Sequence, residues 1–260
     1  MEIQTDTPKY KIFNRDACKY LAIFFMFWGH LAWIGSMRQG NALDTTAMPV
    51  WQQVFIHLSL FCPPVMFFFI ADGYKYTRDR RKYALRLGLF ALITQPFHWL
   101  IFQPIDGWWT SSVMVDLFFG LLVLCAWETE WPKPKRIAAV IGLLLLNVAC
   151  NSPWELGGPL FILFLHIYRD RPKQRFTAYL ILTLLYKIAE CFWLNPDASR
   201  PALEYVGVAI EFLAAMAAYA CMTVFYNGKK GRHPVFAKWF FYAFYPAHYL
   251  LIFLIERFTR

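Results

Sequence analysis

Charge is what this chain has least of. Of its 260 residues, 17% are charged while 58% are hydrophobic and 20% aromatic, which excludes a soluble globule and leaves a polytopic membrane protein. It also lacks any CxxC pair. The six cysteines, at 18, 62, 125, 150, 191 and 221, are scattered through apolar stretches, so they read as small hydrophobes, with neither a disulfide framework nor a metal site expected. No Pro/Ser-rich linker, charged block or internal repeat interrupts the apolar runs, and residues 1–260 read as one domain. No small-residue cleavage site closes the first run, so it is expected to be a retained anchor. Acid is scarce as well, with 17 Asp and Glu against 26 Lys and Arg. The basic residues are parcelled into short loops rather than spread over a soluble face, which argues against a nucleic-acid partner.

What is present is a series of apolar runs of membrane-crossing length. They predict an all-α, polytopic transmembrane helical bundle of about nine spans, near 16–37, 51–73, 83–103, 111–130, 137–151, 155–168, 176–195, 203–226 and 236–256. The fifth and sixth are short enough to be a re-entrant pair. Cys62-Pro63-Pro64 should bend the second span. Lys and Arg gather before span one and after spans two, four, six and eight, against only Arg38, Arg200, Arg257 and Arg260 on the other side. The positive-inside rule then puts the N-terminus in the cytoplasm and the C-terminus outside.

Polar residues inside these spans are the candidates for function. Lys19 and His30 are eleven residues apart, which on a helix is about 20° past three full turns and about 16 Å of rise. Asp16 lies about 40° from His30 on the same wheel. The three form a stripe on a helix otherwise made of Phe, Ile, Leu, Met and Trp, and ionisable groups so placed are expected to face a cavity. Six cations, Lys75, Arg78, Arg80, Arg81, Lys82 and Arg86, follow the bent second span within twelve positions. They are either a topology signal touching lipid headgroups or a site for the phosphates of a cofactor, for which the guanidinium fork is well suited.

Elsewhere the residues allow more than one role. His98 reads as an interfacial histidine. Asp116 could orient an imidazole or cap a helix. Residues 151–159 read as an external loop or half-helix connection. Lys187, Glu190 and Glu211 read as a salt-bridged structural group. His248, beside Tyr245 and Pro246 in the last span, is a core histidine or a substrate-facing one.

Three blocks together resemble a known family. Lys19 through His30 with Met26, the stretch Phe61 to Pro96 containing ADGYKYTRDRRKYALRLGLFALITQP, and the closing FYAFYPAHYLL are similar to TraX sequences, a family linked to N-terminal acetylation of conjugative pilin. More distantly, Lys19-x10-His30 and Arg78-x-x-Arg81 resemble the (Arg/Lys)-x10-His and Arg-x-x-Arg motifs of membrane-bound acyltransferases. Two departures stand out: Gly29 where TraX-like sequences usually have Asp, and Ser59-Leu60-Phe61-Cys62-Pro63 where they tend to have Gly-Arg before Phe-Pro. The first leaves open what orients His30, with Asp16, Asp116 or a backbone carbonyl as candidates.

The resemblance implies an acetyl-CoA-dependent acetyltransferase acting on a peptide, sugar or small-molecule acceptor. His30 would be general base. Lys75 to Arg86 would hold the coenzyme A phosphates, Lys19 would bind a phosphate or line the groove, and Tyr245 and His248 would contact the acceptor or donate to the oxyanion. The competing expectation is a small-solute or proton-coupled transporter using the same intramembrane groups as a relay.

Overall fold

The computed structural model describes residues 8–36, 45–106, 110–192 and 200–258. Met37, Arg38 and the loop up to residue 44, residues 193–195 of the expected seventh span, and Arg260 lie outside them.

Among the described residues the chain is helical throughout, with a single isolated bridge between Phe13 and Tyr226. In order come α1 (Arg15–Ser36), a 3-10 turn (Thr45–Ala47), α2 (Val50–Leu58), a second 3-10 turn (Ser59–Phe61), α3 (Cys62–Tyr76), α4 (Arg80–Asp106), α5 (Val113–Trp127), α6 (Lys133–Ala149), α7 (Gly157–Ile167), α8 (Pro172–Cys191), α9 (Pro201–Thr223) and α10 (Pro234–Phe258). The break between α2 and α3 falls at the two prolines. Pro63 and Pro64 occupy the first turn of α3, where a missing N–H costs nothing, and the backbone ahead of them tightens into the 3-10 turn.

Among the described residues five helical stretches are long and apolar enough to cross a membrane: Arg15–Gly35, Val50–Tyr76, Arg80–Phe102, Pro201–Thr223 and Pro234–Phe258. α5 and α7 are apolar but shorter. The outer surface is built for an apolar medium, since on α4 Leu85 and Leu92 are more than 70% exposed while Leu87 between them is 2% exposed.

The loops sort into two ends. At one, Arg15 N–H bonds Lys229 O at 2.9 Å, Asn227 N–H bonds Phe13 O at 2.9 Å, and His166 at the end of α7 meets Glu128 at the end of α5 at 2.9 Å. At the other, Ser111 N–H bonds Asn151 O at 3.0 Å and Arg200 N–H bonds Thr46 Oγ1 at 3.1 Å. The Lys/Arg clusters belong to the first, here termed the basic end. Within the bundle α1 packs on α2, α3 and α10, α5 on α3, α4, α6 and α7, and α9 on α2, α3 and α8.

Candidate active site

A cavity of about 770 Å³ lies among α1, α3, α4, α5 and α10. α1 contributes Arg15, Asp16, Lys19, Ile23, Met26, His30 and Trp33, a single stripe at helical spacing. Its opposite face carries the exposed Phe24 and Trp28. The polar stripe of α1 therefore faces a cavity and its aromatic face the surroundings.

At the basic end Arg15 Nε donates to Asp16 Oδ1 at 3.3 Å. Gly231 comes close to Asp16: a Cβ there would sit 2.2 Å from Asp16 Oδ2 and 2.8 Å from Asp16 Cβ, so a larger residue would have to push Asp16 aside. One turn further in, the Lys19 ammonium lies 5.4 Å from the Phe69 ring centre and 5.2 Å from that of Phe241, a cation held between two π faces.

Towards the far half of the cavity three histidines gather. His30 Nδ1 and His248 Nε2 are 3.0 Å apart, so one ring donates and the other accepts. Tyr249 stacks on His30 with ring centres 5.7 Å apart and lies against His248 at 4.1 Å, and its hydroxyl is 3.1 Å from that of Tyr245. His98 lines the same cavity, 4% exposed, against Phe102 and Tyr249. Neither of its ring nitrogens has a hydrogen-bond partner. It is not an interfacial residue but part of this chamber.

The cations divide. Arg15, Lys19, Arg86, Lys230 and Lys238 line the cavity. Lys75, Arg78, Arg80, Arg81 and Lys82 are exposed and do not line it, Arg81 lining a separate groove between α4 and α5. Of these, Arg80 stacks 4.4 Å from the Tyr74 ring centre and Lys82 pairs with Asp79 at 3.2 Å. Asp79 caps α4 by accepting from Lys82 N–H at 2.9 Å, which holds its carboxyl below the usual carboxylate range. The lining cations Lys230 and Lys238 were not singled out from sequence, although a signal existed. Lys238, Tyr242, Tyr245 and Tyr249 recur at four, seven and eleven residues, one face of α10.

Asp116 is fully buried and serves the far end. Its carboxylate accepts from Ser152 Oγ at 2.5 Å, Asn147 Nδ2 at 3.1 Å and Trp154 N–H at 3.2 Å. It thus ties α5 and α6 to the 151–154 segment; the imidazole of His30 is paired with His248 instead. Lys187 donates to Glu190 and Glu211, and Glu211 also accepts from His57 Nδ1 at 2.8 Å. These four residues form a polar cluster around the buried Lys187–Glu211 pair, joining α2, α8 and α9. No group of three or more His, Cys, Asp or Glu suited to a metal occurs among the described residues.

The two family departures meet in space. Gly29 packs so closely on the second 3-10 turn that a Cβ there would lie 2.4 Å from Ser59 Cβ and 2.9 Å from Phe55 O. The position before His30 has no room for a carboxylate, and His248 supplies the contact to His30 that is absent there.

A probable fimbrial assembly protein, FimC of serogroup H1, from Dichelobacter nodosus is 29% identical over 200 residues, covering 73% of this chain and 77% of the relative. No solved structure matches. The profile of the TraX protein family matches residues 14–256, nearly the whole chain, and the chain belongs to that family.

Proposed function

We propose that the chain is an integral membrane acyltransferase that moves an acetyl group from cytoplasmic acetyl-CoA to an amine or hydroxyl, with His30 as general base. In this reading the helices cross the bacterial inner membrane nine times, with the N-terminus and the basic end in the cytoplasm. The observation that carries it is one cavity lined both by Arg15, Arg86, Lys230 and Lys238 and by the imidazole of His30, which His248 pairs from behind the lining. A volume of about 770 Å³ lies within the usual range for cavities that take a drug-sized or cofactor-sized molecule.

Arg86, Arg15, Lys230 and Lys238 would hold the phosphates, with Lys75, Arg78, Arg80, Arg81 and Lys82 as an outer basic rim. Lys19 and its flanking rings would guide the pantetheine arm inward. When His30 Nδ1–H donates to His248 Nε2, the His30 Nε2 keeps its lone pair and takes the proton of the attacking amine or hydroxyl. The acceptor's N or O bonds to the thioester carbonyl carbon and the C–S bond breaks. The departing thiolate then receives the proton from the His30 imidazolium. The Tyr245 and Tyr249 hydroxyls are the donors placed to stabilise the oxyanion. A relative named for fimbrial assembly favours a peptide N-terminus over a sugar as acceptor.

His30→Ala should reduce transfer from labelled acetyl-CoA by about a hundredfold or more while leaving thermal stability nearly unchanged. Retained turnover removes His30 from the chemistry. Arg86→Glu with Lys238→Glu should weaken donor binding on the order of tenfold, with a smaller effect from reversing Arg78 and Arg81 outside the cavity. The transporter reading draws on the group of His57, Lys187, Glu190 and Glu211, yet these side chains are engaged with one another. Solute uptake into vesicles without acyl transfer would favour it.

A further inference from the structure

We propose that the outer face of α5 is the floor of a binding groove for an anionic phospholipid, whose phosphate meets the Arg81 guanidinium and whose acyl chain lies between α4 and α5. The groove is separate from the chamber that holds His30, and the inference stands whether or not acyl transfer takes place there.

The two faces of α5 differ. Leu117, Gly120, Leu121 and Leu124 are buried, and a Cβ on Gly120 would lie 2.2 Å from Ile162 of α7. Val115, Phe118, Phe119 and Leu122 recur at three, four and seven residues, so they share the other face. All four line a groove of about 990 Å³. α4 forms its wall with Leu85, Gly88, Leu89 and Leu92. The three leucines are exposed, so the groove opens to the apolar medium that this surface is built for.

Arg81 is the one charged residue in this lining among the described residues. It stands at the start of the Arg80–Phe102 stretch, which is long and apolar enough to cross a membrane. Its guanidinium therefore belongs at the edge of the hydrocarbon layer, where lipid phosphates lie. The neighbouring cations are engaged, Arg80 on the Tyr74 ring and Lys82 with Asp79. No ion pair joins Arg81 to a carboxylate among the described residues, which leaves its fork of donors for two phosphate oxygens. Asp79 is taken by Lys82 and by the cap of α4, so it does not offer a counter-charge for the ammonium of a zwitterionic headgroup.

The dimensions suit one leaflet. From Arg81 to Ala91, which also lines the groove, ten residues of helix rise about 15 Å, half the thickness of a hydrocarbon core. A partner helix would need small residues at which backbones approach closely. Gly88 is the smallest position here, and Phe118 already covers it, its ring 3.0 Å from where a Cβ would stand. What is left between the rings and the leucines fits a thin, flexible chain. α4 turns Tyr83, Arg86 and Leu87 into the chamber, so a lipid seated in the groove packs behind that wall.

The test uses the full-length chain in phosphatidylcholine vesicles containing a little phosphatidylglycerol with a diazirine in its acyl chain, photoadducts being located by peptide mass. Adducts should concentrate on residues 84–91 and 115–122, and unlabelled phosphatidylglycerol should reduce them about fivefold more than added phosphatidylcholine does. Arg81→Gln should lower this labelling about fivefold, whereas Arg78→Gln, an exposed cation outside the groove, should change it by less than about twofold. Leu122→Trp, which fills the floor, should lower it as much as Arg81→Gln. Arg81→Gln alters an exposed side chain and decides the matter if the Trp variant fails to fold. Labelling spread evenly over the exposed faces of α6 and α8 would mean bulk lipid contact only and overturns the proposal, as do equal losses from the Arg78 and Arg81 variants. A photoreactive residue at position 122 that captures a polypeptide instead of lipid gives the groove to a membrane helix and overturns it too.

Discussion

At the scale of single residues, the site depends on a contact between side chains 218 positions apart. His30 and His248 share one hydrogen bond, so His248 can fix the tautomer of His30 without touching either substrate. His248→Phe keeps a flat ring and removes the nitrogens. It should lower kcat by about a hundredfold with little change in KM, and His248→Gln, whose amide can renew the bond, should recover part of the loss. Separate kcat and KM measurements decide the matter, and wild-type kcat in the Phe variant would reduce His248 to packing.

The pairing of Lys19 with His30 on one face was legible because helical periodicity is local. The His248 contact was not, since nothing local to either residue names its partner. His98 was misread for a related reason: its place near a helix end suggested an interface, and only α10 and Phe102 folding over it make it part of the chamber. Asp116 shows the opposite case, since its capping alternative could be written from sequence but its three donors come from beyond its own helix.

Between elements, a close approach near the chamber is that of Gly29 of α1 to Ser59 in the turn between α2 and α3. The turn exists because Pro63 and Pro64 start a new helix, and Ser59 Oγ donates to Ile56 O at 2.6 Å as the chain tightens. A methyl at position 29 must push against backbone as well as side chain. Gly29→Ala should therefore destabilise by about 1–3 kcal/mol, read as a lower Tm in detergent. Adding Ser59→Gly should restore part of it, and additive losses in the double variant would show that the two positions do not meet. The proline break was readable from the second span alone. Which cations would reach the cavity was not, because the 75–82 segment points its charges outward once Asp79 caps α4, while Lys230 and Lys238 arrive on a different loop.

For the whole molecule, hydropathy located the helices well but could not say which of them are enclosed by others. α7 is only 11 residues, yet Phe161, Ile162, Leu163 and Leu165 are all buried. It is enclosed by α3, α5 and α8, so it need not span by itself, and no one-dimensional pattern distinguishes a sheltered short helix from a short membrane span. The proposed orientation predicts that reporters fused at the two termini fall on opposite sides of the membrane, active as a periplasmic enzyme only at the C-terminus. Reporters on the same side would make the number of crossings even.

A cavity lined along α1 from Arg15 to Trp33 is also a path along which protons and metal cations could run down their gradients. The ammonium of Lys19, wedged between two aromatic rings one turn from the basic end, sets a positive barrier there that repels small cations and attracts an anionic carrier. The same residue that helps draw in the donor would thus let such a hollow protein sit in an energised membrane without discharging it.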